Sequence, residues 1–254
     1  WHPNGQVAVR GEFEILDRDG VSVSEEVGHW LEWHPNGQMK SERDWVGGRA
    51  EGLVREWHEN GRASRDANYV LGRAEGPATE WHPNGEIALR GSYKGGRLDG
   101  THESFWPTGE RRVGGAWAEG AQVGDWRSWH PNGQLRSEEP FVAGALVGVV
   151  ATWYAGGERE SETEWKAGEV VRGTQWFEGG GLRERGASRD GLLESWYEDG
   201  QPKQRGELAD GERNGPWMFF HPNGAVNEEM SGRYESGTRG GPLQAPRTRA
   251  DVEA

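Results

Sequence analysis

An aromatic residue recurs along this chain at a nearly fixed interval: Trp1, Trp33, Trp57, Trp81, Phe105, Trp129, Trp153, Trp176, Trp196 and Phe220. The steps between them are 32, then 24 five times, then 23, 20 and 24 residues. Five identical steps in succession do not arise from unrelated segments. A period in this range marks stacked units, each burying its apolar surface against its neighbours.

Six anchors open or approximate a Trp-His-Pro-Asn-Gly segment, with Asn4-Gly5, Asn36-Gly37, Asn60-Gly61, Asn84-Gly85, Asn132-Gly133 and Asn223-Gly224. Asn-Gly suits a tight hairpin turn because both residues tolerate positive φ. Proline fixes its own φ and favours an extended residue before it. Twelve residues after the anchor stands a second aromatic: Phe13, Trp45, Tyr69, Tyr93, Trp117, Phe141 and Trp165. Glycines follow, as in Gly48, Gly72 and Gly96, and again four residues on in Gly52, Gly76 and Gly100. These marks predict two short strands per unit, one running from the Asn-Gly turn to the second aromatic and one returning to the next anchor. Trp30 and Trp33, Trp126 and Trp129, and Trp217 and Phe220 lie three apart, which puts them on opposite faces of a regular strand. Either both faces carry aromatics there or a bulge re-aims one ring.

Only 33% of the residues are hydrophobic, whereas 42 are glycine and 15 tryptophan. So few aliphatic side chains cannot fill a deep core, but large rings can be buried between shallow layers. The formal charge of −13 argues against nucleic acid and anionic membranes as partners. No apolar run approaches the roughly 18 residues that span a bilayer as a helix, so no membrane insertion is expected. The absence of cysteine excludes disulfides and thiolate metal sites and leaves the redox compartment open, with the cytoplasm slightly favoured.

The anchor, the Asn-Gly turn, the second aromatic and the glycine pair together resemble the MORN repeat variant of bacterial, often antitoxin-like, proteins. That resemblance runs from residue 1 to about 235 and weakens in the units opening at Trp153, Trp176 and Trp196. It implies one β-hairpin per repeat, stacked into an elongated antiparallel sheet, and a scaffold or protein-binding role rather than catalysis. The expected fold is therefore all-β, an elongated single-layer array of antiparallel β-hairpins with about ten 24-residue repeats over residues 1–235. An insertion falls near 14–29, and residues 236–254 are expected to be a disordered tail.

His2, His34, His58, His82, His130 and His221 each follow an anchor. Equivalent positions in successive units stand about 10 Å apart, too far for two imidazoles to share an ion held at about 2 Å. Packing and hydrogen bonding beside the turn is the favoured reading, and no metal or cofactor is expected. Acidic pairs such as Glu138-Glu139 sit on polar strand positions without a pocket to separate their pKa values, so no catalytic dyad is assigned. The aromatics Trp45, Tyr69, Tyr93, Trp117, Trp126, Phe141 and Trp165 are the candidate packing or interaction residues. The period and the absence of a catalytic constellation point to a non-enzymatic scaffold for a protein partner, and the family resemblance alone implies an antitoxin- or immunity-like role as its most concrete form. The alternative is a carbohydrate- or cell-wall-binding array that uses Trp platforms. Function is expected where copies differ, after Phe13 and between Trp165 and Trp196.

Overall fold

A computed structural model describes residues 1–19 and 21–243. Among them are 22 strands and no helix, and every strand pairing is antiparallel. The chain is an all-β array of hairpins, as its period implies. It forms two compact units, the first from Trp1–Gly133 with Phe141–Gly144, the second from Gln134–Pro140 with the residues from Ala145 onward.

In the first unit consecutive strands pair, except where one returning strand is split into two pieces that both pair with the same neighbour. The strands are β1 (Val9–Arg18), β2 (Val21–Trp33), β3 (Met39–Val46), β4 (Arg49–Trp57), β5 (Ala63–Val70) and β6 (Arg73–Trp81). There follow β7 (Ile87–Lys94), the short β8 (Arg97–Leu98), β9 (Gly100–Phe105), β10 (Arg111–Ala118) and β11 (Ala121–Trp129). Strand β12 (Leu135–Val142) contributes residues to both units. The second unit continues with β13 (Ala145–Leu146), β14 (Gly148–Trp153), β15 (Arg159–Lys166), β16 (Glu169–Trp176), β17 (Leu182–Ala187) and β18 (Gly191–Trp196). It ends with β19 (Pro202–Ala209), β20 (Glu212–Phe219), β21 (Gly232–Glu235) and β22 (Thr238–Gly241). Strand β22 lies in the stretch expected to be a tail, of which residues 244–254 fall outside the described residues.

The two corners of each hairpin exchange the backbone roles that their residues suggest. At the Pro-Asn-Gly corner only the glycine has positive φ, as in Gly37 at 83° and Gly61 at 78°, while the asparagine does not. The bonds Gly61 N–H to His58 O (2.9 Å) and His58 N–H to Arg62 O (2.8 Å) close a three-residue loop, a turn followed by a left-handed glycine. The asparagine serves through its side chain instead: Asn60 Oδ1 accepts from Arg62 N–H at 3.1 Å. Paired positive φ occurs at the opposite corner, in Leu71 (50°) with Gly72 (78°) and Glu119 (51°) with Gly120 (85°).

Each regular hairpin contains a bulge ahead of the first ring of the aromatic pairs spaced three apart, and Trp126 and Trp129 lie on opposite faces, one over Gly115 and the other against the adjacent Gly114. Ala67 pairs with Ala78, yet two residues further along β5 Tyr69 pairs with Ala74. The returning strand therefore carries two extra residues, the first of them the left-handed Gly76 (φ 78°). The same shift lies between Gly114 and Ala116 opposite β11, where Gly124 (φ 68°) bends the strand ahead of Trp126. Trp126 then lies flat over Gly115, and Trp30 over Gly11 and Trp217 over Gly206 repeat the arrangement. Each indole Nε1–H donates to a carbonyl one residue past that glycine, Glu12 (3.2 Å), Ala116 (3.1 Å) and Glu207 (2.8 Å).

This geometry also accounts for the irregular steps. The 32-residue unit keeps its bulge and lengthens the hairpin beyond it, with ladder pairs from Phe13–Glu26 out to Arg18–Val21. In the 23-residue unit Glu164 pairs with Arg172 and Trp165 with Val170, so one bulge residue is gone. In the 20-residue unit Gly186 pairs with Leu193 and only six residues connect them, leaving no place for a bulge or a second aromatic. All length changes fall on one side of the hairpin.

Successive units are tied at the Pro-Asn-Gly corner. Histidine Nε2–H donates to the carbonyl of the next anchor in His2–Trp33, His34–Trp57 and His58–Trp81 (each 2.8 Å) and in His82–Phe105 (3.0 Å). A carbonyl only accepts, so these four rings carry their proton on Nε2. Where tyrosine replaces histidine its hydroxyl makes the same bond, from Tyr154 to Trp176 O (2.9 Å) and from Tyr197 to Phe220 O (2.8 Å). Asparagine Nδ2–H adds a second tie, from Asn36 to Glu59 O (2.6 Å) and from Asn60 to Pro83 O (2.7 Å). Each such bond contributes about 1 kcal/mol net.

Candidate functional site

The seven candidate aromatics divide into groups with different surroundings. Trp126 is 6% exposed, with Trp117 edge-on to it at 5.3 Å and Phe141 at 6.4 Å. His102 packs against both indoles, 5.8 Å from Trp126 and 6.3 Å from Trp117. Burial lowers the His102 pKa against the opposing pull of Glu80, so its imidazole is kept neutral among the rings. These aromatics are occupied in holding β9, β10 and β11 together. Tyr93 is half-buried opposite Leu98. Trp165, in the second unit, is half-buried and donates to Thr163 Oγ1 at 3.0 Å.

Trp45 and Tyr69 differ because they line an open hollow of about 870 Å³ in the first unit. The repeat builds it directly. The second aromatic of one hairpin and its counterpart 24 residues on flank the returning strand β4, from which Ala50 and Val54 reach the same hollow. Small residues at Ala50 and Ala74, paired across from Trp45 and Tyr69, leave the space that Leu98 occupies beside Tyr93.

Charges absent from the sequence reading complete this surface. Arg43, on the strand of Trp45, stands 3.7 Å from Glu56, and its buried Nε has no hydrogen-bond partner among the described residues. On β5, Arg65 is 3.5 Å from Glu80. Burial opposes the Arg65 charge, but Tyr69 and then Glu56 and Glu80 outweigh it and raise its pKa. The inner positions held by Arg43 and Arg65 carry uncharged or acidic residues in the other units, for instance Gly91 and Leu89 or Gly115 and Val113. This was the readable signal. Two arginines interrupt a column of small and apolar residues, and a search for recurring residues passes over them. Arg49 and Arg73 close the rim of the hollow.

The second unit has a hollow of its own, about 630 Å³, where the 23- and 20-residue units shorten the hairpin side. It is lined by Glu162, Glu164, Arg172, Arg185, Asp190 and Glu194 among others, and by none of the seven candidate aromatics. Its charges are largely spent on each other, with Arg172–Glu164 at 2.5 Å and Arg185–Glu194 at 2.7 Å. The lengthened first hairpin exposes Phe13 and Ile15, and Phe13 meets Trp30 edge-on at 4.9 Å. Among the described residues no three His, Asp or Glu side chains converge as a metal site, and no helix is long and apolar enough to cross a membrane.

Four segments of the chain, residues 26–46, 74–94, 122–143 and 189–209, match the family model described as MORN repeat variant. Each spans one Pro-Asn-Gly corner, or its Glu-Asp-Gly counterpart at 198–200, with the flanking strands, including the second aromatic where one is present. No curated protein matches the chain.

Proposed function

We propose that this chain, which carries MORN-variant repeats, is a non-catalytic scaffold that binds a protein partner on the face of the first unit bearing Trp45 and Tyr69. The observation that supports this reading is the contrast among equivalent rings. Trp117 and Phe141 are consumed by packing against Trp126, whereas Trp45 and Tyr69 line open space beside a guanidinium with an unused donor. Large rings next to arginine, partly exposed and held on a rigid sheet, have the composition of binding hot spots. In the antitoxin- or immunity-like version of this role the partner is a toxic effector protein. Carbohydrate is the second reading, and the same two rings favour it as stacking platforms with Glu56 and Arg43 placed for hydroxyls.

Capture by the immobilised full chain, compared with the Trp45→Ala/Tyr69→Ala variant, tests the reading. The expected result is a protein retained by the parent chain and lost at least tenfold by the variant, whose strand content by circular dichroism is unchanged. Retention of the same protein by both chains, or retention of purified cell-wall polysaccharide in place of any protein, would overturn it.

A further inference from the structure

Arg49, Arg73 and Arg97 occupy one position in three consecutive repeats of the first unit, at the starts of β4, β6 and β8. All three are exposed, and none has a carboxylate within ion-pair distance among the described residues. Their roots are fixed. The Cβ of Arg49 packs under Gly72, that of Arg73 under Gly96 and that of Arg97 under Gly120, at 3.4, 3.5 and 3.7 Å from where a glycine Cβ would stand. The acids two residues further on are turned elsewhere. Glu51, Glu75 and Asp99 accept the backbone N–H of Leu71 (2.8 Å), Gly95 (2.7 Å) and Glu119 (3.1 Å) in the next turn. In a chain of net charge −13, this leaves a row of three anchored, unspent cations.

We propose that the partner enters this surface as an acidic segment in polyproline II conformation, presenting a carboxylate at every third residue to Arg49, Arg73 and Arg97. The proposal rests on the protein-binding reading above and adds the chemistry of the bound segment. Equivalent residues of successive repeats are two strands apart, about 9.6 Å. A polyproline II helix repeats its facing every three residues, about 9.3 Å. A β-strand faces the same way every second residue, about 6.7 Å, and falls out of step with the row after one contact. Trp45 and Tyr69, themselves one repeat apart, line one hollow with Arg49 and Arg73. Aromatic-lined grooves take polyproline II segments by packing proline rings between side chains, and the preformed conformation lowers the ordering cost.

The test titrates the full chain into fluorescein-labelled twelve-residue peptides and follows anisotropy. One peptide repeats Glu-Pro-Pro four times. A second has the same composition and charge, but its four glutamates fall at every second residue, followed by the remaining prolines. A third repeats Lys-Pro-Pro. The Glu-Pro-Pro peptide is expected to bind about tenfold tighter than the second, since three exposed ion pairs in register contribute only modestly each. The Lys-Pro-Pro peptide is expected not to bind. The Arg49→Ala/Arg73→Ala/Arg97→Ala variant should lose that tenfold and keep the parent's thermal midpoint. Equal affinity for the two acidic peptides, an unaffected triple variant, or tighter binding of a single-stranded oligonucleotide would overturn the proposal. A captured partner that needs Trp45 and Tyr69 but not the three arginines would overturn the acidic segment and leave the binding face intact.

Discussion

Gly115→Val is expected to destabilise the first unit by about 3–5 kcal/mol, read as a lowered urea midpoint of tryptophan fluorescence. The Trp126 indole lies directly over Gly115, and a Cβ there meets Cδ2, Cε2 and Cγ of the ring at less than any ordinary contact. The ring must leave a site where it is 6% exposed, and it takes with it the edge contacts to Trp117 and Phe141 and the bond to Ala116 O. Trp126→Ala alone is expected to cost a similar amount. The informative variant combines Gly115→Ala with Trp126→Ala, reproducing the Ala67–Ala78 pair that the array already uses two repeats earlier. The double variant is expected to be no worse than Trp126→Ala by itself, a coupling of at least about 2 kcal/mol. Additive costs would show that the ring and the glycine do not constrain each other.

Trp217→Ala is the second large effect, and it belongs to the second unit. Trp217 is 1% exposed, stacks on Phe219 at 5.8 Å, meets Tyr234 at 6.5 Å and donates to Glu207 O at 2.8 Å. The Arg213 guanidinium sits over all three rings, at 5.2, 4.9 and 5.7 Å. Truncation should cost about 3–5 kcal/mol. Because each hairpin leans on its neighbours, the loss should be local and should free β21 and β22 first. Limited proteolysis is expected to cut within residues 228–241 of the variant and to spare the first unit. Trp217→Phe, which keeps most of the ring, should largely resist. Cleavage unchanged from the parent chain would mean that the last hairpin is held by something other than this cluster.

The period, the two corners and the all-β class were legible because they rest on local chemistry, that is, on where an apolar ring, a proline or a glycine must stand. Pairing information was not. The sequence leaves open whether Trp126 and Trp129 share a face; the register puts the bulge at Gly124, ahead of Trp126, and the two rings contact the adjacent Gly115 and Gly114 from opposite faces. The resemblance weakens in the 23- and 20-residue units because these hairpins lack part or all of the equivalent bulge. Asn-Gly pointed to the right corner for the wrong backbone reason, since the asparagine acts through its amide, bonding within its own turn and to the next. The histidines were readable as structural by elimination, but their partner, a carbonyl 23 residues on, follows only from the stacking. For the candidate site, the aromatics were visible as a class. Which of them remain free depends on what stands opposite: Ala50 and Ala74 leave Trp45 and Tyr69 open, while Trp126 closes over Trp117.

The central claim is that one array uses equivalent rings for packing in some repeats and for binding in others. Hydrogen–deuterium exchange of the full chain with and without its captured partner tests this most directly. Added protection is expected across residues 43–75, with residues 113–126 and the second unit unchanged. Protection spread evenly over all repeats, or confined to the second unit, would contradict it.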